Sequence, residues 1–277
     1  MSAICDCHVH FYPTYDISLA LEMAWTKLET ARVSAELPSK TTKILCLTER
    51  HDCFFFDELI NKLPEGDSPS TYKIRPTKEN CSLRLELMSK ERHGSERREL
   101  IIVAGRQIVT SERIEVLALA SNLRLADGLS FSEVYQQVQQ ANGICAINWA
   151  PGKWFFRRGE IIRSLIASKD FPKLFLGDTT LRPTIWPKPN LMRRGESLGR
   201  KILSGSDPLP PRGEEDYIGS YGIVVPEIIS AEYPAKSLRD FLLSSTGPFT
   251  TFGKRGSSVE VFWRIFKHEY LAFKNKH

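Results

Sequence analysis

Residues 4–11 begin apolar and then alternate, Cys5-Asp6-Cys7-His8-Val9-His10. This is the period-two signature of a strand whose successive side chains face opposite ways. Asp6, His8 and His10 then share one face, and Cys5, Cys7 and Val9 the other. From residue 16 to 33 the period lengthens. Ile17, Ala20, Leu21, Ala24, Trp25, Leu28 and Ala31 predict an amphipathic helix with Asp16 as its N-cap. Residues 43–48 predict a short buried strand, with Glu49-Arg50-His51-Asp52 at its carboxyl end, and residues 54–60 a short helix. Residues 71–75 and 82–88 alternate as a half-exposed hairpin would. The charged run over 90–99, including His93, reads as a solvated loop.

The second half repeats a strand-then-helix rhythm. Residues 100–104 and 114–119 predict core strands, the first leading into Gly105-Arg106-Gln107. Ser130-Phe-Ser-Glu133 is a capping box, and its helix runs through Val134, Tyr135 and Val138 to Gly143. Strands at 144–147, 173–177 and 201–204 end in Asn148-Trp149, Asp178 and Gly205-Ser206-Asp207, with a helix over 160–167 between the first two. Residues 217–277 read as closing elements, with a basic aromatic helix over 259–273; His268 and His277 read as surface residues. Strands alternating with helices, with polar clusters at one strand end after another, predict a mostly parallel sheet curled toward closure.

The 277 residues suffice for one large α/β domain, taken here as 1–277, with a hairpin insertion over 70–98 and the closing segment over 217–277. Thirty-eight Lys and Arg against 33 Asp and Glu give a net charge of +5. That mild excess carries no basic stripe, which speaks against nucleic acid as a partner and fits a small anionic substrate, phosphorylated in the leading reading. Six cysteines lie mostly in apolar runs without zinc-knuckle spacing, as reduced buried thiols of a cytoplasmic protein would. No apolar run is long enough to span a membrane.

Chemistry gathers at the strand ends. Two imidazoles two residues apart on one strand face can share a divalent ion, with Asp6 as a further ligand or an orienting acceptor. Lys153, Arg157, Arg158 and Arg182, just beyond two strand ends, are candidates for holding an anionic group. Trp149 and Trp154 are either walls of a site or core residues.

In their order, the motifs resemble the PHP family of metal-dependent phosphoesterases, relatives of the amidohydrolases. The matching residues are Asp6-x-His8-x-His10, the 47–52 stretch where that family has Thr-Asp-His-Asp, Val103-Ala-Gly105-Arg-Gln107-Ile with Glu115-Val-Leu, and Gly205-Ser-Asp207. The resemblance spans about the first 210 residues and implies a distorted β/α barrel. This chain has Gln107 where the family has a glutamate and Glu115 where it has a histidine. Asn148-Trp149-Ala150-Pro151 stands in place of Ala-His-Pro, and Pro208 where another histidine is usual. Neutral amides are poor ligands. The resemblance therefore implies one or two divalent ions (zinc, manganese or iron) on a set drawn from His8, His10, Glu49 or His51, Glu115, Asp178 and Asp207. It implies a hydrolase of phosphoesters using metal-activated water, with Asp207, His51, Lys153 and Arg182 as catalytic candidates and Arg157 and Arg158 as anion-binding candidates. Two other readings stand beside it. One is an amidohydrolase-type C–N or C–O hydrolase with Asp207 as general base. The other is a non-catalytic binding protein with a degenerate metal site.

Overall fold

The computed structural model describes residues 2–63, 71–88 and 98–274. The charged run over 90–99 lies largely outside them, as do His93 and His277. Twelve strands and seven α-helices are described among these residues. Strand β1 (Ala3–Val9) leads through Asp16 into helix α1 (Ile17–Ser34). The Asp16 carboxylate accepts from the Leu19 N–H at 3.0 Å, which satisfies one of the helix's otherwise unpaired donors. Strand β2 (Thr42–Leu47) and helix α2 (Phe55–Lys62) follow. The predicted hairpin is β3 (Tyr72–Pro76) and β4 (Ser82–Leu87), and β5 (Arg98–Val103) completes the first half.

Then come β6 (Gly105–Val109), β7 (Glu115–Leu119), α3 (Phe131–Gln140), β8 (Ile144–Asn148), α4 (Phe156–Ala167), β9 (Leu174–Thr179), α5 (Asn190–Ser197) and β10 (Ile202–Gly205). The capping box of α3 is formed, with the Ser130 and Glu133 side chains each accepting from the other's backbone N–H. A short 3-10 turn (Glu214–Tyr217), β11 (Tyr221–Val225), α6 (Pro234–Ser244), β12 (Thr251–Gly253) and α7 (Ser258–Lys274) end the described chain.

The strands do not form the expected barrel. They make two open sheets, β12-β11-β1-β2-β5-β4-β3 and β10-β9-β8-β7-β6. Among the described residues only β1–β2, β2–β5, β8–β9 and β9–β10 pair in parallel, so the sheets are not mostly parallel either. The break falls at Ala104. Strand β5 ends in the large sheet at Val103, and β6 opens in the small sheet at Gly105. A Cβ at Gly105 would lie 2.3 Å from the Leu47 carbonyl oxygen, so only glycine lets the chain cross there. The β3–β4 and β6–β7 hairpins then occupy places that a strand–helix repeat would have filled with parallel strands.

The inner faces of the two sheets share one core, which includes Cys5, Cys7, Ile44, Val103, Leu119, Ala146, Phe175 and Leu203 and which α6 extends. Helices α1 and α2 and the β3–β4 hairpin cover the large sheet's outer face. Helices α3, α4 and α5 cover the small sheet's outer face. All six cysteines are free thiols, five of them buried. Among the described residues no helix is long and apolar enough to cross a membrane. The sheets meet near their strand ends: the Asp207 N–H donates to the His8 carbonyl at 2.9 Å, and Glu49 bridges to Arg106.

Candidate metal centre

Strand β1 carries the centre. Its alternation is interrupted by a register shift against β2 between Asp6 and Val9. Cys5 and Cys7 enter the inter-sheet core, whereas Val9 joins Ile4 in the core on the outer side. The expected grouping of Val9 with the two cysteines is therefore corrected by the bulge.

Asp6 is fully buried, and its carboxylate is taken up by backbone donors. Its Oδ1 accepts from the His8 N–H at 3.1 Å and the Ser206 N–H at 2.8 Å, and its Oδ2 from the Gly219 N–H at 2.8 Å. Burial pushes this carboxyl up to about 7 despite those three donors. Asp6 thus ties β1 to the end of β10 and to the turn before β11.

The tie sets His8 and His10 against Asp207. The two Nε2 atoms lie 3.0 Å apart, and Asp207 Oδ1 lies 3.3 Å from His8 Nε2 and 3.6 Å from His10 Nε2. All three residues are buried. A Cβ at Gly205 would lie 2.3 Å from the His8 backbone nitrogen, so a bare glycine is what lets β10 deliver Asp207 this close. Asp207 itself has φ +50°, a left-handed conformation that aspartate tolerates better than most residues. Arg264 donates to its carbonyl oxygen at 3.2 Å and holds it there.

Burial holds the His8 imidazole down, at about 4, against the opposing pull of Asp207. It is therefore neutral at pH 7, as a metal-ligating imidazole must be. Burial works against the Asp207 charge as well, but His8, His10 and Arg264 outweigh it and hold that carboxyl below the usual range.

These residues fit a divalent ion. Ligands at 2.0–2.1 Å in tetrahedral array stand about 3.3 Å from one another, the spacing found in this triangle. Two nitrogens and a carboxylate oxygen are an ordinary donor set for such an ion. Buried polar atoms nearby also lack partners among the described residues: His8 Nδ1, His10 Nδ1 and Asn148 Oδ1. Asn148 and Gln107 both approach the His8 ring.

A cavity of about 320 Å³ opens beside the triangle. His10, Asp207, Gln107 and Asn148 form its floor. Glu115, Lys153, Arg50, His51, His268 and Glu269 stand on its walls.

The sequence-predicted residues fall into two groups. His8, His10 and Asp207 converge. Glu115 is ion-paired with Lys153 on the cavity wall, and His51 is exposed and 3.5 Å from Asp127. Glu49 is turned away, its Oε1 accepting from the Phe56 N–H of α2 at 2.8 Å, and burial pushes it up to about 7. Asp178 and Arg182 pair with each other at 2.6–2.7 Å and border a separate cavity of about 770 Å³. Arg157 is exposed, and Arg158 donates to the Gly152 carbonyl at 2.9 Å. Of the four cationic candidates, Lys153 alone lines the cavity beside His10. Trp149 and Trp154 are core residues, and the Trp154 indole N–H donates to the Asn148 carbonyl at 2.8 Å.

Sequence reasoning passed over Arg50 and Tyr12, whose ring lies 5.3 Å from that of His10. It also read His268 as a surface residue and missed Arg264. The available signal was a charged side chain at the buried spacing Val261, Arg264, Ile265, His268.

No protein-family model matches the chain, and neither does any curated protein. Among solved structures, PsfC from Pseudomonas syringae PB-5123 is similar at 15% identity with a TM-score of 0.56, covering 98% of this chain and 99% of PsfC. That likeness shows a shared fold. The lesion-specific endonuclease PfuEndoQ from Pyrococcus furiosus aligns at 13% identity and TM-score 0.47, over 87% of this chain and 56% of that one. Endonuclease Q in complex with a 27-mer duplex bearing an abasic lesion aligns at 12% identity and TM-score 0.42, over 87% and 57%. At those TM-scores nothing passes from either endonuclease to this chain.

Proposed function

We propose that this protein is a divalent-metal-dependent hydrolase acting on phosphoester bonds, with one ion held by His8, His10 and Asp207. The observation that carries this reading is the buried triangle of 3.0, 3.3 and 3.6 Å formed by their ligand atoms. An ion bound there would supply a hydroxide nucleophile near neutral pH and polarise a phosphoryl oxygen.

The chain's own residues do the rest. Asp6 orients β1 through the His8 N–H, and Arg264 fixes the Asp207 backbone. Lys153 and Arg50 stand on the cavity wall where a substrate phosphate would lie, and Glu115 holds the Lys153 ammonium in place. Asn148 lines the cavity and approaches the His8 ring, so it helps to orient that imidazole.

The test is metal analysis of protein purified without chelator and then incubated with zinc or manganese, paired with a screen of phosphomonoesters and phosphodiesters. Near-stoichiometric metal is expected, with metal-dependent release of phosphate from a monoester or of alcohol and monoester from a diester. Protein that stays metal-free after incubation overturns the hydrolase reading.

A further inference from the structure

Helix α7 has two faces with opposite employment. Its inner face is anchored: Val261 and Arg264 are buried, and Ile265, His268 and Glu269 line the cavity beside His10. Arg264 bonds Glu214 at 2.8–2.9 Å, the Thr180 hydroxyl at 2.8 Å and the Asp207 carbonyl, with its guanidinium 3.6 Å from the Tyr217 ring centre.

The outer face carries Val259, Phe262, Trp263, Phe266, Tyr270 and Phe273, each at least half exposed. Phe262, Phe266 and Tyr270 stack in a ladder with ring centres 6.1 and 6.3 Å apart. A contiguous aromatic face of this kind is not what an isolated surface helix presents to water.

We infer that this face is the interface of a homodimer in which α7 packs antiparallel against α7 of a second copy, across a two-fold axis at Phe266. The spacing argues for a second copy of this chain over another occupant. Val259 and Phe273 lie seven residues either side of Phe266, and Phe262 and Tyr270 lie four. A two-fold axis at Phe266 therefore brings Phe266 onto its own mate, Phe262 onto Tyr270 and Val259 onto Phe273. Such self-complementarity is what an isologous interface requires. The same axis places the acidic first turn, Glu260, near the basic last turn, Lys274, of the second copy.

Six such side chains, half to two-thirds exposed, offer on the order of 700 Å² per copy, close to the roughly 800 Å² per partner of a standard stable interface. The inference stands apart from the hydrolase reading, since it needs no metal and no substrate.

Sedimentation equilibrium of the full chain, from low-micromolar to hundred-micromolar concentration, tests it. A dimer is expected for the wild type. Phe266→Arg, which sets two guanidinium groups against each other on the axis, should weaken association at least about 100-fold. Ile228→Arg, at an exposed position off α7, should leave it unchanged. Phe262→Glu and Tyr270→Lys should each give monomers, and the double variant should recover the dimer through two Glu–Lys contacts across the axis. This recovery also guards against a single variant that merely misfolds. A wild-type protein monomeric throughout overturns the proposal. So does a dimer indifferent to Phe266→Arg, or wild-type monomer that instead sediments with anionic phospholipid vesicles.

Discussion

Asp178 and Asp207 are both buried, and each closes a strand of the small sheet or follows directly on its end. Their surroundings differ. Asp178 Oδ1 accepts from the Arg182 Nε at 2.7 Å and the Thr179 N–H at 3.1 Å, and Oδ2 from the Arg182 Nη2 at 2.6 Å and the Tyr221 hydroxyl at 3.3 Å. Every direction in which a carboxylate accepts is filled by a donor from the protein. Asp207 instead faces two imidazole nitrogens at 3.3 and 3.6 Å, longer than good hydrogen bonds and spaced as ligands of a common ion. A strand-end carboxylate whose partners are all internal is part of the scaffold. One whose partners are two imidazoles at the spacing of ligands to a common ion is part of a candidate site.

The largest test of that distinction is His8→Ala. It leaves two ligands, so metal affinity should fall by more than the roughly 100-fold typical of losing an outer partner, and equilibrium dialysis with zinc reads this directly. Arg182→Met should do the reverse. It strands a buried carboxylate and should cost about 3–5 kcal/mol in urea unfolding, while metal stoichiometry holds. Loss of metal from Arg182→Met would erase the contrast between the two aspartates.

Glu49 sharpens it in the pH dimension. Its folded pKa, about 7, lies above its ordinary 4.5, so the folded state holds this proton more tightly than the unfolded chain does. The stability this confers is complete below about pH 4.5 and is lost as pH rises through 7. Glu49→Gln keeps an oxygen for the Phe56 N–H and removes the titration. Relative to wild type it should therefore gain stability as pH rises, by at most about 3 kcal/mol at pH 8, read from urea unfolding at pH 5 and 8.

The smallest effect belongs to Lys153→Ala. The lysine is part-exposed and already paired with Glu115, so phosphoester turnover should show about a ten-fold rise in KM with metal content unchanged. An unchanged KM would remove Lys153 from substrate binding.

Local chemistry was legible in the chain, and the joining of sheets was not. The strand that bears His8 and ends just before His10, the Asp16 cap and the Ser130 box follow from short-range rules, and the structure has them. The strand over 100–104 reads as leading into Gly105-Arg106-Gln107, with no strand assigned to 105–109, where the structure has β6. The chain changes sheets there through a close approach at Gly105, a tertiary fact. Asp178 and Asp207 looked alike because each follows a buried strand. Only the neighbours that the fold supplies, Arg182 and Tyr221 for one and two imidazoles for the other, separate them.

The Asp6 carboxylate has a consequence in time. Its two distant donors, Ser206 and Gly219, lie 200 and 213 residues further along the chain. At ribosomal rates of 5–20 residues per second, roughly 10–40 s pass between the making of Asp6 and the making of those donors. Through that interval the first strand has β2 available as a parallel neighbour but lacks β11, its antiparallel one. His8 and His10 are made about 200 residues before Asp207, so the triangle of the three cannot close until β10 has been made. Contacts of such long sequence separation form slowly, because loop-closure entropy must be met before they give anything back. An ion that needs all three side chains would therefore bind only chains in which the first and tenth strands have already met.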